Sequence, residues 1–312
     1  MIKGREHSLI IAKLTEQMKK KGLDALILTS ADGVFYSTGF CARSLYRSGK
    51  TGNAVSVVTK DGNVTLVCSE FEKMAAQTVC DPSVHIESYP VWIYIEDYAF
   101  AGMKKEVQPD LNKTYRIASH FIPHGEKPPE VGVLSKWITY DAYCFLIEAF
   151  GNEHLHDCTK VLTEARVTKT PWEIDILRYN AQKAELAMNK TAHETVPGMT
   201  CADVYTAFHR ICLELCPEMT AVSQSHTCGP VIAPAWIPQD TPLRRGDIVR
   251  LDGGPYTNGY KSDLGRSFAV GNYIPRRGKR CIQRFTEGTS GAFPTLDPVC
   301  GCVMFFTASS RQ

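Results

Sequence analysis

The sequence has no long apolar run, no paired-cysteine motif and no marked excess of charge of either sign. A membrane span needs roughly 18 consecutive apolar residues and no stretch supplies them, so none is expected. The opening residues, Met1-Ile2-Lys3-Gly4-Arg5-Glu6-His7, are polar and lack the apolar run of a secretory signal. A formal net charge of +2 over 312 residues gives no reason to expect nucleic acid or an anionic membrane as partner. These absences point to a soluble, cytoplasmic protein. The 12 cysteines are scattered, with Cys300-Gly301-Cys302 the one tight pair, and no CxxC…CxxC zinc pattern occurs. Dispersed thiols in a chain of this size read as reduced core residues rather than a disulfide framework.

What is present is ordinary globular material: 44% apolar and 22% charged residues, in a chain long enough for two domains. Residues 8–21 carry Leu9, Ile10, Leu14 and Met18 and end in lysines before Gly22, which predicts a helix with a cationic last turn and a glycine stop. Ala25–Leu28 reads as a buried strand. Ala54–Val58 and Val64–Cys68 flank Asp61-Gly62 as a hairpin, and Glu70–Val79 as a helix. Strands and helices mix to about residue 160, so the first half is α/β. Thr170-Pro171-Trp172-Glu173 has the composition of a capping box and opens a long helix reaching about His193. Thr200 and Asp203 start another, striped by Val204, Phe208, Ile211 and Leu215 and ended by Pro217. A domain boundary is expected near 160–169, dividing the chain into 1–162 and 163–312.

The sharpest chemistry lies in a hairpin. Gly246-Asp247 leads into a strand through Asp252, Asn258-Gly259 forms the turn, and Lys261–Val270 returns. A two-residue turn pairs Thr257 with Tyr260 and sets Asp263 opposite Gly254. Strand alternation then puts Asp252 and Asp263 on one face as diagonal neighbours, roughly 7–8 Å apart at the backbone. Two carboxylates that close repel unless a cation lies between them, and hard divalent ions favour such oxygen ligands. A solvated hairpin with two exposed aspartates is the plain alternative.

The residues Leu251-Asp252-Gly253-Gly254, Gly259-Tyr260-Lys261-Ser262-Asp263-Leu264-Gly265-Arg266-Ser267-Phe268 and Gly271 resemble the metal-binding hairpin of the M24 metallopeptidases. That family includes Xaa-Pro aminopeptidase, prolidase and methionine aminopeptidase, with creatinase as a relative. Ala165–Ile174, Val196–Thr200 and Pro242–Asp247 fit the same pattern, and Tyr36-Ser37-Thr38-Gly39-Phe40 resembles part of a creatinase-type N-terminal domain. The resemblance covers about residues 8–274. It implies an α/β fold: a creatinase-type N-terminal domain followed by a pita-bread (α+β) catalytic domain, here incomplete. It also implies two divalent metal ions (Mn, Co or Zn), homodimers, and hydrolysis next to proline in small peptides. Asp252 and Asp263 match the family's bridging metal ligands.

Two departures are visible. Family members carry a histidine about eleven or twelve residues before the Gly-Asp turn, where this chain reads Pro234-Ala235-Trp236-Ile237-Pro238. An alanine or tryptophan cannot hydrogen-bond a developing oxyanion or leaving nitrogen as that histidine does. His226 is the one nearby candidate for a catalytic role, against the plainer reading of a loop or core histidine. Second, the family completes its site with a histidine and two glutamates downstream. Here no histidine follows His226, and after Asp263 the acids are Glu287 and Asp297.

Residues 275–312 also change character. Arg276, Arg277, Lys279, Arg280 and Arg284 cluster, and 305–310 show no periodicity. A basic patch, a solvated tail and an out-of-frame tail are the readings. Codons 296–306 read one base earlier, the third base of each codon taken with the first two of the next, permit Pro-Gly, four residues, then Asp-Val, the spacing of Pro197-Gly198 to Asp203-Val204, with a break between Gly271 and Glu287. The expectation is therefore an M24-type peptidase, impaired or inactive as this chain stands. The alternatives are a metal-independent, creatinase-like C–N hydrolase and a non-catalytic pita-bread binding module or truncated gene product.

Overall fold

A computed structural model describes residues 4–48, 51–90, 112–228 and 240–272. The chain forms two compact units, Met1–Glu173 and Ile174–Gln312.

The first unit is built on a six-stranded mixed sheet, ordered β4-β3-β2-β1-β5-β6. The strands are β1 (Ala25–Leu28), β2 (Val55–Thr59), β3 (Val64–Ser69), β4 (His85–Tyr89), β5 (Val131–Val133) and β6 (Leu155–Asp157). The expected hairpin is present: β2 and β3 pair antiparallel around Gly62, which takes φ 86°. Strand β1 is central, with β2 antiparallel along one edge and β5 parallel along the other, and it is buried on both faces. Alternation divides its side chains between two cores. Leu26 and Leu28 pack with α1 (His7–Lys21) and α7 (Thr159–Val167) on one face. Ala25 and Ile27 pack with α5 (Lys113–Ser119) and α6 (Tyr140–Phe150) on the other. The result is a three-layer α/β/α unit, in which α2 (Ala31–Thr38) and α3 (Arg43–Ser48) follow β1 and α4 (Glu70–Val79) follows β3.

Local signals explain the helix ends. Helix α1 stops at Gly22, whose φ of 68° is the left-handed cap that glycine adopts without a Cβ clash, and its N–H reaches back to the Lys19 and Met18 carbonyls. The expected boundary at 162/163 falls inside α7. That helix belongs to the first unit because Val161, Leu162 and Ala165 are buried in its core.

The second unit holds α8 (Pro171–Glu194, whose first turn lies in the first unit), α9 (Cys201–Leu215) and a sheet ordered β10-β8-β7. Its strands are β7 (Ala221–Cys228), β8 (Ile248–Thr257), β9 (Tyr260–Lys261) and β10 (Leu264–Ala269), with β9 paired to β8. Both capping boxes form. The Thr170 N–H donates to Glu173 Oε2 at 2.7 Å and the Glu173 N–H to Thr170 Oγ1 at 3.3 Å. Thr200 and Asp203 repeat the exchange at the start of α9. Val204, Phe208 and Ile211 of α9 pack with Ala187 and Met188 of α8 against Val249, Leu251 and Phe268 of the sheet. The nine described cysteines are free thiols, six of them buried. Among the described residues no helix is long and apolar enough to cross a membrane.

Candidate functional site

The hairpin has the register that its turn chemistry demands. Asn258 and Gly259 both take positive φ, 48° and 76°, as a type I′ turn requires. Thr257 pairs with Tyr260 and Gly253 with Leu264, and the Ser262 N–H donates to the Pro255 carbonyl at 3.2 Å. The register therefore runs unbroken past the turn, and Asp263 stands opposite Gly254. The returning strand is interrupted: β9 ends at Lys261 and β10 begins at Leu264. At the break the Ser262 hydroxyl donates to the Pro255 carbonyl at 2.8 Å and is buried, while Asp263 is exposed.

The backbone of β8 departs from a regular pleat just after Asp252. Gly253 takes φ 129° and Gly254 φ 152°, values that L side chains rarely adopt. A Cβ on Gly254 would lie 2.6 Å from the Ala184 Cβ of α8 and press on Ser262 Oγ. Glycine at 254 is thus required twice, by conformation and by the close approach of α8. Asn180 of α8, fully buried, fastens the turn. Its amide donates to the Tyr260 carbonyl at 2.8 Å, and its side-chain oxygen accepts from the Thr257 hydroxyl.

The two faces of β8 are distinct. Val249 and Leu251 are fully buried under the helices. Arg250 and Asp252 alternate with them and carry the charge on the opposite side. Arg250 Nη2 lies 2.5 Å from Asp252 Oδ2, an ion pair half-exposed on the arginine side and one-quarter exposed on the aspartate side. Alternation along Arg250-Leu251-Asp252 makes this pair legible in the sequence, where the aspartates alone drew notice. Asp263 makes no ion pair or hydrogen bond among the described residues. His226 lies on β7 opposite Leu251, whereas Ser225 is opposite Asp252, so the ladder sets position 226 out of phase with Asp252. Pro234–Pro238, Glu287, Asp297 and the whole of 275–312 lie outside the described residues.

The neighbouring motifs join around the hairpin. The Gly198 N–H donates to the Leu243 carbonyl at 2.8 Å and the Leu243 N–H to the Met199 carbonyl at 2.7 Å, tying Val196–Thr200 to Pro242–Asp247. The turn before β8 closes through Gly246 N–H to the Val270 carbonyl at 2.9 Å, and the Arg244 N–H donates to Asp247 Oδ2 at 2.7 Å.

The donor set does not amount to a two-metal site. Among the described residues no three His, Cys, Asp or Glu side chains gather into a group that could hold a metal ion. One of the two hairpin carboxylates already has a guanidinium partner. Two carboxylates, one of them paired to a cation, are too few oxygen donors for a pair of divalent ions.

Comparison with known proteins places the chain. Residues 10–168 match the creatinase/prolidase N-terminal domain, and residues 175–294 match metallopeptidase family M24. The chain belongs to the prolidase/creatinase type of the M24 metallopeptidases. It is similar to creatinase of Bacillus sp. (strain B-0618), 25% identical over 190 residues, 59% of this chain and 40% of the relative. It is also similar to methionine aminopeptidase 1 of Dictyostelium discoideum, 27% identical over 126 residues, 38% of this chain and 34% of the relative. The matches thus span well under half the length of these curated relatives. In fold it is similar to an Xaa-Pro dipeptidase from Bacillus anthracis, with TM-score 0.66 and 20% identity, covering 90% of this chain and 70% of that one. The M24 match extends past residue 287, so it lends the expected frame break between 271 and 287 no support.

Proposed function

We propose that the chain is an M24-type hydrolase of small peptides, of the Xaa-Pro aminopeptidase or dipeptidase kind, whose hairpin contributes Asp252 and Asp263 as ligands for divalent metal. The observation that carries the reading is the register of the hairpin, which sets Asp263 opposite Gly254, two positions along β8 from Asp252. Metal bound there would supply Lewis acidity at a peptide carbonyl. The described residues do not complete such a site, and the proposal includes that these 312 residues alone turn over Xaa-Pro peptides poorly or not at all. The out-of-frame reading of 275–312 belongs to the same proposal, and the nucleotide sequence around codons 271–287 tests it.

The activity test uses the purified full chain with Mn²⁺ or Co²⁺ and Xaa-Pro dipeptides. Turnover at rates ordinary for enzymes, on the order of 10 per second, sinks the impairment, and its loss in D252N and D263N supports the ligand assignment. A second reading, a metal-independent C–N hydrolase, is favoured by the Arg250–Asp252 ion pair and by the similarity to creatinase. Activity that survives exhaustive chelation decides for it. A cytoplasmic homodimer is part of the leading proposal, and sedimentation of the purified chain tests the dimer.

A further inference from the structure

The disagreement between the hairpin and a metal site is centred on one residue. Arg250 precedes Asp252 by two positions on β8, so both project from the face turned away from α8 and α9, and the guanidinium reaches Asp252 Oδ2 at 2.5 Å. The positions paired with these two on the flanking strands are Thr227 and Ser267 beside Arg250, and Ser225 and Gly265 beside Asp252. None carries a charge. Among the described residues, a Cβ at Gly265 would meet only the Leu251 carbonyl, 3.9 Å away. Other cations nearby are engaged elsewhere: Arg266 is paired with Glu185 at 3.1 Å, and Lys261 lies 5.9 Å from the centre of the Tyr256 ring. Among the described residues, Arg250 is the cation paired with Asp252.

We propose that Arg250 is a built-in counterion that holds the accessible side of Asp252 and lowers the hairpin's affinity for divalent cations. This rests on the reading of Asp252 and Asp263 as metal ligands. A divalent ion binding at Asp252 must first displace the guanidinium or sit beside it. Like charges a few ångströms apart repel strongly where solvent screening is incomplete, and the displaced guanidinium loses a charge-assisted hydrogen bond. The fixed positive charge does for Asp252 what an ion would do, leaving the hairpin folded and charge-compensated without metal.

The test is Mn²⁺ binding to the full 312-residue chain, followed through the electron paramagnetic resonance signal of free Mn²⁺ and by calorimetry. Four proteins are compared: wild type, R250Q, R250K and R250Q/D252N. R250Q should bind at least about tenfold more tightly than wild type, because a neutral amide neither repels the ion nor competes strongly for the carboxylate. R250K keeps the charge and should stay within about threefold of wild type. R250Q/D252N should lose the gain. Should R250Q fail to fold, R250M gives the same reading. Equal, Asp252-dependent binding by wild type and R250Q overturns the counterion role and leaves the ligand assignment standing. No binding by any of the four up to millimolar Mn²⁺ overturns both.

Discussion

Replacing Gly254 with alanine should destabilise the second unit severely, and the reason can be separated into two parts. The added Cβ would sit 2.6 Å from the Ala184 Cβ, well inside the roughly 3.5–4.0 Å of an ordinary carbon contact. Overpacking of this kind costs about 1–3 kcal/mol. The φ of 152° adds a conformational term, about 1–3 kcal/mol for a residue held where only glycine rests comfortably. A combined loss of about 3 kcal/mol lowers the melting temperature by roughly 6–12 °C for a unit of this size. Circular dichroism melts of the full chain measure it. The steric part can be isolated by removing the opposing methyl group. A184G alone should cost about 1 kcal/mol as a glycine inside a helix, yet in the G254A background it should restore part of the loss. The two changes should couple by about 1 kcal/mol or more in a double-mutant cycle. A G254A melt within about 1 °C of wild type, or purely additive effects, would refute the close-approach reasoning.

Two further outcomes follow from the electrostatics and the buried thiols. Glu130 accepts hydrogen bonds from His156 and, at 3.1 Å, from His154, and these hold its carboxyl below the ordinary value of 4.5. A carboxyl depressed in the folded state contributes stability that is fully present above its unfolded value and is lost as pH falls through the lower folded one. Acid melts of E130Q should accordingly fall less steeply below pH 4.5 than those of wild type, and parallel curves would remove Glu130 from the account. Burial pushes the Cys68 and Cys212 thiols up to about 12. In native protein at pH 8 both should resist iodoacetamide for hours and react only after denaturation, which peptide mass mapping reads directly.

Much of the local structure was legible because it is written in neighbouring residues. The helix Glu70–Val79 has the expected limits, and the two capping boxes announce themselves by a threonine three residues before an acid. Asn258-Gly259 alone fixes the hairpin register, since only that turn type satisfies both positive φ values. What escaped was non-local or broke a local rule. The parallel pairing of β1 with β5 joins residues more than a hundred positions apart and leaves no periodic trace. The Asn180 clamp on the turn spans some eighty positions. The return strand, expected as one piece through Val270, is split because Ser262 turns its hydroxyl inward to the Pro255 carbonyl. The alternation that assigned the two aspartates to one face assumed a regular pleat, which Gly253 and Gly254 do not keep.

The reciprocal bonds between Gly198, Met199 and Leu243 have a consequence for how this scaffold can diversify. They join the residues after α8 to those leading into β8 through main-chain groups alone, each bond running from an N–H to a carbonyl. Any side chain that still fits the core at Leu243 keeps the tie, whereas a proline there deletes the donor. Sequence drift at this join is therefore open in chemistry and closed to one residue type.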